Sequence, residues 1–140
     1  MKALYEAIVT RYNSAAGATV RAALGDAIHP FRAPQGTALP LVVYQHTGTP
    51  VDYTMAGGGS SATEIREVNI DFVLYDDASS PLAIENAAED LYALYDDVLL
   101  TVTGWTVFDA ERENDLDIRD EQNKVWQKVI SYRYQLGKDR

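Results

Sequence analysis

Hydrophobic and polar positions along the chain switch between helical spacing and strict alternation, and these switches define eight elements. Apolar residues recur every three or four positions from Lys2 to Tyr12 and again from Ala18 to Leu24, which predicts two amphipathic helices. Gly25 follows the second helix, where a glycine commonly ends a helix. We expect both helices to pack on the core.

The next segments show the patterns of strands. A short strand is predicted over Ala27 to Phe31, and an apolar run predicts another from Leu39 to Thr47. Glu64 to Tyr75 alternates strictly, which is typical of a half-buried strand. Its predicted inward side chains are Val68, Ile70, Phe72 and Leu74.

Between these strands, Gly48 to Ala62 is predicted to be a long loop with three consecutive glycines, residues 57–59. A phosphate-binding loop would need a following lysine and the start of a helix, and neither is present. The glycines therefore predict a mobile loop or a hairpin arm.

Helical spacing returns from Leu82 to Leu100, after the Ser80-Pro81 pair that is typical of a helix start. The apolar stripe of this helix contains Ile84, Ala87, Ala88, Leu91, Tyr95 and Val98. Its predicted outer face is acidic, with Glu85, Glu89, Asp90, Asp96 and Asp97.

Two further strands are predicted, Trp105 to Arg112 and Lys124 to Leu136. The polar stretch from Glu113 to Asn123 is predicted to be a wide, water-exposed hairpin tip. One face of the last strand would present Trp126, Ile130, Tyr132, Tyr134 and Leu136 to the core.

This order of elements predicts an α+β fold in a single domain over residues 1–140. Its sheet would be mostly antiparallel, with about five strands and with the long helix and the two shorter N-terminal helices on one face. The opposite face would carry charges together with Tyr44, Tyr75 and Arg133, and we expect a neighbouring subunit to cover it.

Charge is distributed unevenly. Residues 1–60 carry four basic and three acidic residues, whereas residues 61–140 carry eight basic and eighteen acidic ones, so the formal net charge of -9 lies in the second part. A broad basic face for nucleic acid is excluded by this distribution. No signal peptide and no apolar run long enough for a membrane span is present, which predicts a soluble cytosolic protein.

Candidate catalytic and metal-binding groups do not form a recognisable motif. The absence of cysteine excludes disulfides, thiolate metal sites and a cysteine nucleophile. The two histidines, His29 and His46, have no neighbouring residues at metal-ligand spacing, so surface or packing roles are predicted. The acidic run from Asp109 to Glu121 departs from a calcium loop at its third ligand. The sequence therefore predicts no enzyme, no metal and no cofactor.

The segment Ile28 to Gln45 combines stiffness with exposure. Pro30, Pro34 and Pro40 restrict the backbone, and Gly36 supplies the turn. A stiff loop that leads into an apolar strand suits contact with another protein.

The same segment resembles a known family. Ile28-His29-Pro30, Arg32-Ala33-Pro34-Gln35-Gly36 and the strand Leu39 to Gln45 are similar to the tail-completion or tail-terminator family of tailed bacteriophages and gene transfer agents. Its characteristic turn is similar to Leu24-Gly25-Asp26-Ala27-Ile28, with Ala27 in place of the usual basic residue. The family's alternating strand and long helix resemble Val68 to Asp77 and Leu82 to Leu100.

The resemblance implies a structural role in a virion. Family members form a ring, commonly of six subunits, at the head-proximal end of the tail tube; they stop tube growth and join the tail to the head connector. The implied partners are further copies of the chain, the tail-tube protein and the connector. DNA would pass through the ring without specific binding, no membrane would be involved, and assembly would occur in the host cytoplasm.

Two alternatives stay open: another head–tail connector or neck protein of the same particle, and a generic intracellular protein-binding domain. We hypothesise that Arg32 and Gln35 contact a neighbouring subunit or the tube, and that the arm from Asp52 to Ser61 becomes ordered only on docking. The interface residues predicted in this way are Phe31, Arg32, Pro34, Gln35, Asp52, Tyr53, Met55 and Gly58.

Overall fold

The computed structural model describes residues 1–48, 51–54 and 63–138. Helix α1 spans Lys2–Asn13 and α2 spans Ala18–Leu24, with a 3-10 turn, Ala15–Gly17, between them. Both predicted helices are confirmed, and Gly25 ends α2 with a φ of 100° that suits glycine. The predicted alternation of the middle strand and of the last strand is also confirmed.

The turn between α1 and α2 is held by hydrogen bonds rather than by a cap. Arg21 Nη1 donates to the carbonyl oxygens of Tyr12 and Ser14 at 2.5 and 2.7 Å. The hydroxyl of Tyr12 donates to the carbonyl of Gly25 at 2.6 Å. These bonds hold the two helices in a fixed position relative to each other.

The sheet contains β1 (Ile28–Pro30), β2 (Leu41–Gly48), β3 (Val51–Thr54), β4 (Thr63–Asp76), β5 (Trp105–Asp120) and β6 (Val125–Lys138). Its strand order is β1-β2-β4-β6-β5, and β3 pairs with β4 off this path. β1 runs parallel to β2, and the other described pairs are antiparallel. β1 and β5 are therefore the two ends of the strand order.

The core lies between one face of the sheet and the three helices, including α3 (Leu82–Tyr95). Phe72 of β4 stacks on Tyr95 of α3 at 4.7 Å between ring centroids and meets Tyr132 of β6 edge-on at 5.5 Å. The hydroxyl of Tyr95 donates to the carbonyl of Ile8 at 2.8 Å, which ties α3 to α1. The predicted α+β class, with a mostly antiparallel sheet and helices on one face, is confirmed.

The prediction for the long helix was wrong at its end. α3 ends at Tyr95 rather than Leu100, because Asp96 is extended and Asp97 is left-handed with a φ of 56°. The carboxylate of Asp96 accepts a hydrogen bond from the Tyr132 hydroxyl and pairs with Arg112 at 3.4 Å. Part of the predicted acidic outer face is thus engaged with the sheet.

Two loop predictions need correction. The predicted loop Gly48 to Ala62 contains β3, Val51–Thr54, and its antiparallel pairing with β4 agrees with the hairpin arm that was one of the two alternatives predicted there. The predicted hairpin tip Glu113 to Asn123 is mostly strand, because β5 continues to Asp120 and pairs with β6 up to Val125. The true tip is the four-residue turn 121–124.

One face assignment needs correction. Tyr44 was predicted on the face away from the helices, but it shares the inward face with Val42 and is buried. Its ring lies 5.7 Å from that of Tyr5 in α1. Tyr75 pairs in register with Leu41 and is half-buried. We call the face that carries Glu67, Asp71 and Arg133, away from the helices, the open face.

Candidate assembly surfaces

The proline-braced segment forms an exposed corner of the fold directly after β1. β1 pairs with β2 from Ile28 opposite Val42 to Pro30 opposite Tyr44. The backbone then turns at Phe31, which has a φ of 60°. A bulky residue rarely adopts this left-handed conformation, because its side chain crowds the backbone. Such strained positions persist only where the surroundings fix them, and they are frequent at functional sites.

Two backbone hydrogen bonds fix this conformation. The N–H of Phe31 donates to the carbonyl of Tyr44 at 2.8 Å, and the N–H of Arg32 donates to that of Pro30 at 2.6 Å. Phe31 is 59% exposed in this conformation, and Arg32 beside it is exposed as well. We refer to Phe31 and Arg32 together as the corner.

Arg32 is an isolated cation. It is the sole Lys, Arg, Asp or Glu between positions 27 and 51. Among the residues that the structure describes, no carboxylate lies within the 4.0 Å of an ion pair. Pro34 and Gln35 are also exposed, and the following turn is held by the Thr37 hydroxyl, which donates to the Pro34 carbonyl at 2.6 Å. An exposed phenylalanine, and an arginine with no carboxylate partner among the described residues, are side chains of the kinds that are enriched at protein interfaces.

The structure brings together only part of the predicted interface set. Phe31, Arg32, Pro34 and Gln35 share the exposed segment. Asp52 and Tyr53 belong to β3, which pairs with the first residues of β4. Met55, Gly58 and the glycine run lie outside the described residues, so the predicted ordering of that arm stays a prediction.

A second surface lies on the open face along β5. The sequence predicted charges and Arg133 on this face, but not the cluster that they form. Arg133 of β6 reaches four carboxylates, at distances of 2.7 to 3.9 Å. They belong to Glu67, Asp109, Glu111 and Glu113. One guanidinium neutralises only one of these charges, so the cluster retains a surplus of three negative charges. Burial lowers the pKa of Arg133, but Glu111 and Glu113 outweigh this and raise it.

Exposed apolar side chains flank this cluster along β5. Phe108 is 50% exposed and lies over Gly137, because a Cβ added there would come within 3.8 Å of its ring. At the other end, Leu116 is 53% and Ile118 is 39% exposed. We call this surface the acidic hairpin face; it consists of Glu67, Phe108, Asp109, Glu111, Glu113, Leu116, Ile118 and Arg133.

The opposite side of the same hairpin is tied to α3 by polar contacts. Lys128 is only 3% exposed, and its Nζ donates to Glu85 at 3.1 Å and to Asp117 at 3.0 Å. Burial lowers the pKa of Lys128, but these hydrogen-bonded carboxylates raise it above its usual range. Lys128 therefore stays charged and bridges α3, β5 and β6.

Further contacts extend this bridge. The hydroxyl of Tyr92 donates to Asp115 at 2.8 Å, and burial together with this hydrogen bond raises the pKa of Tyr92 to about 12. The guanidinium of Arg112 lies 3.6 Å from the centre of the Tyr92 ring. Near the tip, Trp126 Nε1 donates to the carbonyl of Ala78 at 3.1 Å, and Arg119 stacks on the same indole. The projecting hairpin is thus held in one position.

The described residues form a groove but no cluster of metal ligands. No group of three or more His, Asp or Glu side chains in these ranges is arranged to hold a metal ion. A groove of about 440 Å³ runs between α1 and residues 98–103. Glu6 is the one carboxylate among the described residues that line it, and it pairs with Lys2 at 3.4 Å. Within the same ranges, no helix has the length and apolarity of a membrane span.

Comparison with known proteins gives one informative result. Neither a protein-family model nor a curated protein matches the sequence. The fold is similar to that of a chain in a solved structure of the virion of a native gene transfer agent particle, with a TM-score of 0.62 and 16% identical residues. The similarity covers 94% of this chain and 93% of that one. At this level of identity the comparison establishes the shared fold, which extends over nearly the whole of both chains.

Proposed function

We propose that this protein is a structural component of a gene transfer agent or phage-like particle, and that it forms a ring at the head-proximal end of the tail tube. There it ends tube growth and joins the tail to the head connector. The observation that carries the proposal is the shared fold with a chain of a gene transfer agent virion over 94% of the sequence. The resemblance of the segment from Ile28 to Gln45 to tail-terminator proteins supports the finer assignment.

The surfaces of the described residues suit assembly better than catalysis. A ring of identical subunits needs two different, complementary patches on each subunit. The corner carries an aromatic ring and a cation, and the acidic hairpin face carries surplus negative charge with apolar flanks. In this proposal the function is not enzymatic, and DNA passes the ring without specific contacts, since the chain has a net charge of -9.

Loss of the gene tests this function directly. Particles assembled without the protein should contain tail tubes of uneven length and heads that lack tails, whereas particles with it should have tubes of one length. Electron microscopy of both preparations measures this. Tubes of normal length that simply fail to attach would contradict a terminator role and favour the neighbouring connector. Imaging of the labelled protein along the particle axis would then give its position.

A further inference from the structure

The two ends of the sheet carry surfaces of opposite character. The corner comes directly after β1, at one end of the strand order, and the acidic hairpin face runs along β5, at the other end. We propose that the corner of one copy docks on the acidic hairpin face of the next copy in a head-to-tail contact. This inference rests on the proposed ring and names the surfaces that build it.

Charge complementarity supports this contact. Arg32 has no carboxylate partner among the described residues, while the cluster around Arg133 has three more carboxylates than it can neutralise. An arginine can hold carboxylates through two parallel hydrogen bonds. Docking of Arg32 near Glu111 or Glu113 would satisfy the free guanidinium and reduce the surplus negative charge of the cluster.

Apolar complementarity points the same way. Phe31 is exposed on one surface, and Leu116 and Ile118 are exposed on the other. Contact between them would remove three large apolar side chains from water. The hydrogen bond from the Phe31 N–H to the Tyr44 carbonyl holds the backbone at Phe31 before binding, so little backbone freedom is lost on docking.

The chemistry of the two edges disfavours a symmetric contact. β5 is a sixteen-residue strand at the end of the strand order, and a strand in that position can template pairing with another strand. Residues 109–121 carry seven acidic and two basic side chains, so two such edges repel each other. β1 has three residues and ends in Pro30, which has no N–H to donate. A second copy can therefore approach β5 with its corner, through side chains, but not with its own β5.

A charge exchange tests the contact. Arg32→Glu and Glu113→Arg should each weaken assembly at least tenfold, because each places like charges together, and the double variant should recover most of it. Lys2→Glu and Glu89→Arg are matched controls, since they make the same charge changes at residues of α1 and α3 that belong to neither surface. They should assemble like the unmodified protein. Native mass spectrometry across a concentration series measures the protein concentration at which half of each variant is assembled.

Cross-linking tests the geometry independently. The chain has no cysteine, so Arg32→Cys and Glu113→Cys each introduce a single thiol. A short bifunctional thiol reagent should link copies in a mixture of the two variants. It should link few copies when either variant is alone, because a head-to-tail contact does not bring position 32 to 32 or 113 to 113.

A third variant separates docking from folding. Phe31→Asn removes the ring, and asparagine accepts the left-handed backbone better than phenylalanine. Its melting temperature should be unchanged or raised while assembly weakens. A parallel fall in both would mean that Phe31 serves the fold alone.

The outcomes distinguish this inference from the proposed function. An intact ring in Arg32→Glu, together with absent cross-links between positions 32 and 113, would overturn the inference and leave the ring in place. Loss of tail-tube binding from an intact Arg32→Glu ring would also overturn it, because the corner would then face the tube. An unmodified protein that never assembles would instead contradict the proposed function.

Discussion

The β5–β6 hairpin has two halves that are stabilised in different ways. Near the start of β5, Val107 and Ala110 face Leu136 and Tyr134 of β6, and all four are buried with the helices over them. Farther along β5, eight consecutive residues, 111–118, are exposed, and the register shifts within this stretch, between Arg112 and Asn114. There the contact with α3 is polar, through Lys128, Asp115 and Asp117.

This difference shows how the chain can project a strand beyond its core without losing the strand's position. Apolar packing sets the first half, and hydrogen-bonded charges on the inner side set the second. The outer side of the second half is left with Leu116 and Ile118, which continue the surface that begins with the carboxylates around Arg133. Because hydrogen-bonded charges on the inner side hold this surface in position, it is preorganised for contact with another molecule.

The largest expected effect comes from leucine truncation in the two halves. Leu136→Ala removes a fully buried side chain and should lower the free energy of unfolding by about 2–5 kcal/mol. Leu116→Ala, the same substitution in the exposed half, should change it by no more than about 0.5 kcal/mol. Urea unfolding of both variants measures the contrast, and equal losses would contradict the division of the hairpin.

Removal of the polar bridge should have an intermediate effect. Lys128→Ala leaves Glu85 and Asp117 without their shared cation, and we expect a loss of about 1–3 kcal/mol, typical of hydrogen bonds to charged groups. Both carboxylates are partly exposed and can bind water, which keeps the loss within this range. Lys138→Ala, at the exposed end of β6, is the control.

Hydrogen exchange refines this prediction. In Lys128→Ala, amide exchange should accelerate in the outer half of the hairpin, residues 113–129, and remain slow around Leu136. Uniform acceleration over both halves would mean that Lys128 stabilises the whole sheet rather than the projecting half.

The smallest expected effect concerns the free energy of unfolding at alkaline pH. The raised pKa of Tyr92, about 12, means that the folded protein keeps a proton that the unfolded chain releases above pH 10. This contribution is fully present below pH 10 and is lost as the pH rises toward 12. The free energy of unfolding should therefore fall less steeply between pH 10 and 12 in Tyr92→Phe than in the unmodified protein. The difference in this free energy between the two proteins at pH 8 serves as the reference. Identical slopes would contradict the assignment.

The elements that were predicted correctly are those in which burial alone sets the pattern. The inward alternation from Val68 to Leu74 and the apolar stripes of α1 and α2 reflect contact with one core. The end of α3 was not predictable in this way, since Val98 to Leu100 continue the apolar pattern. The break depends on the Asp96 carboxylate, which binds Tyr132 and Arg112 far along the sequence.

The outer half of β5 was mistaken for a loop because its alternation is inverted. Asp115 and Asp117 face α3, while Leu116 and Ile118 point away from it. If apolar residues are assumed to face the core, this stretch fits no strand pattern and is interpreted as a polar loop. The alternation itself was present, and Lys128 at an inward position of β6 was the sign of a polar partner.

The two candidate surfaces also differ in how far they could be predicted from the sequence. The corner was accessible to sequence reasoning, because prolines and one arginine lie close together in the chain. The acidic hairpin face depends on strand register, which brings Glu67 and Arg133 together across 66 positions. No pattern of neighbouring residues in the sequence predicts such a cluster.

The mass of the purified protein, measured alone and after mixing with tail-tube subunits, shows whether copies of the chain close into a ring. We expect a discrete species at a small fixed multiple of the 15.5 kDa chain, either alone or on addition of the tube subunits. A protein that stays at 15.5 kDa in both samples, or that forms an open-ended series of masses, would contradict head-to-tail closure into a ring.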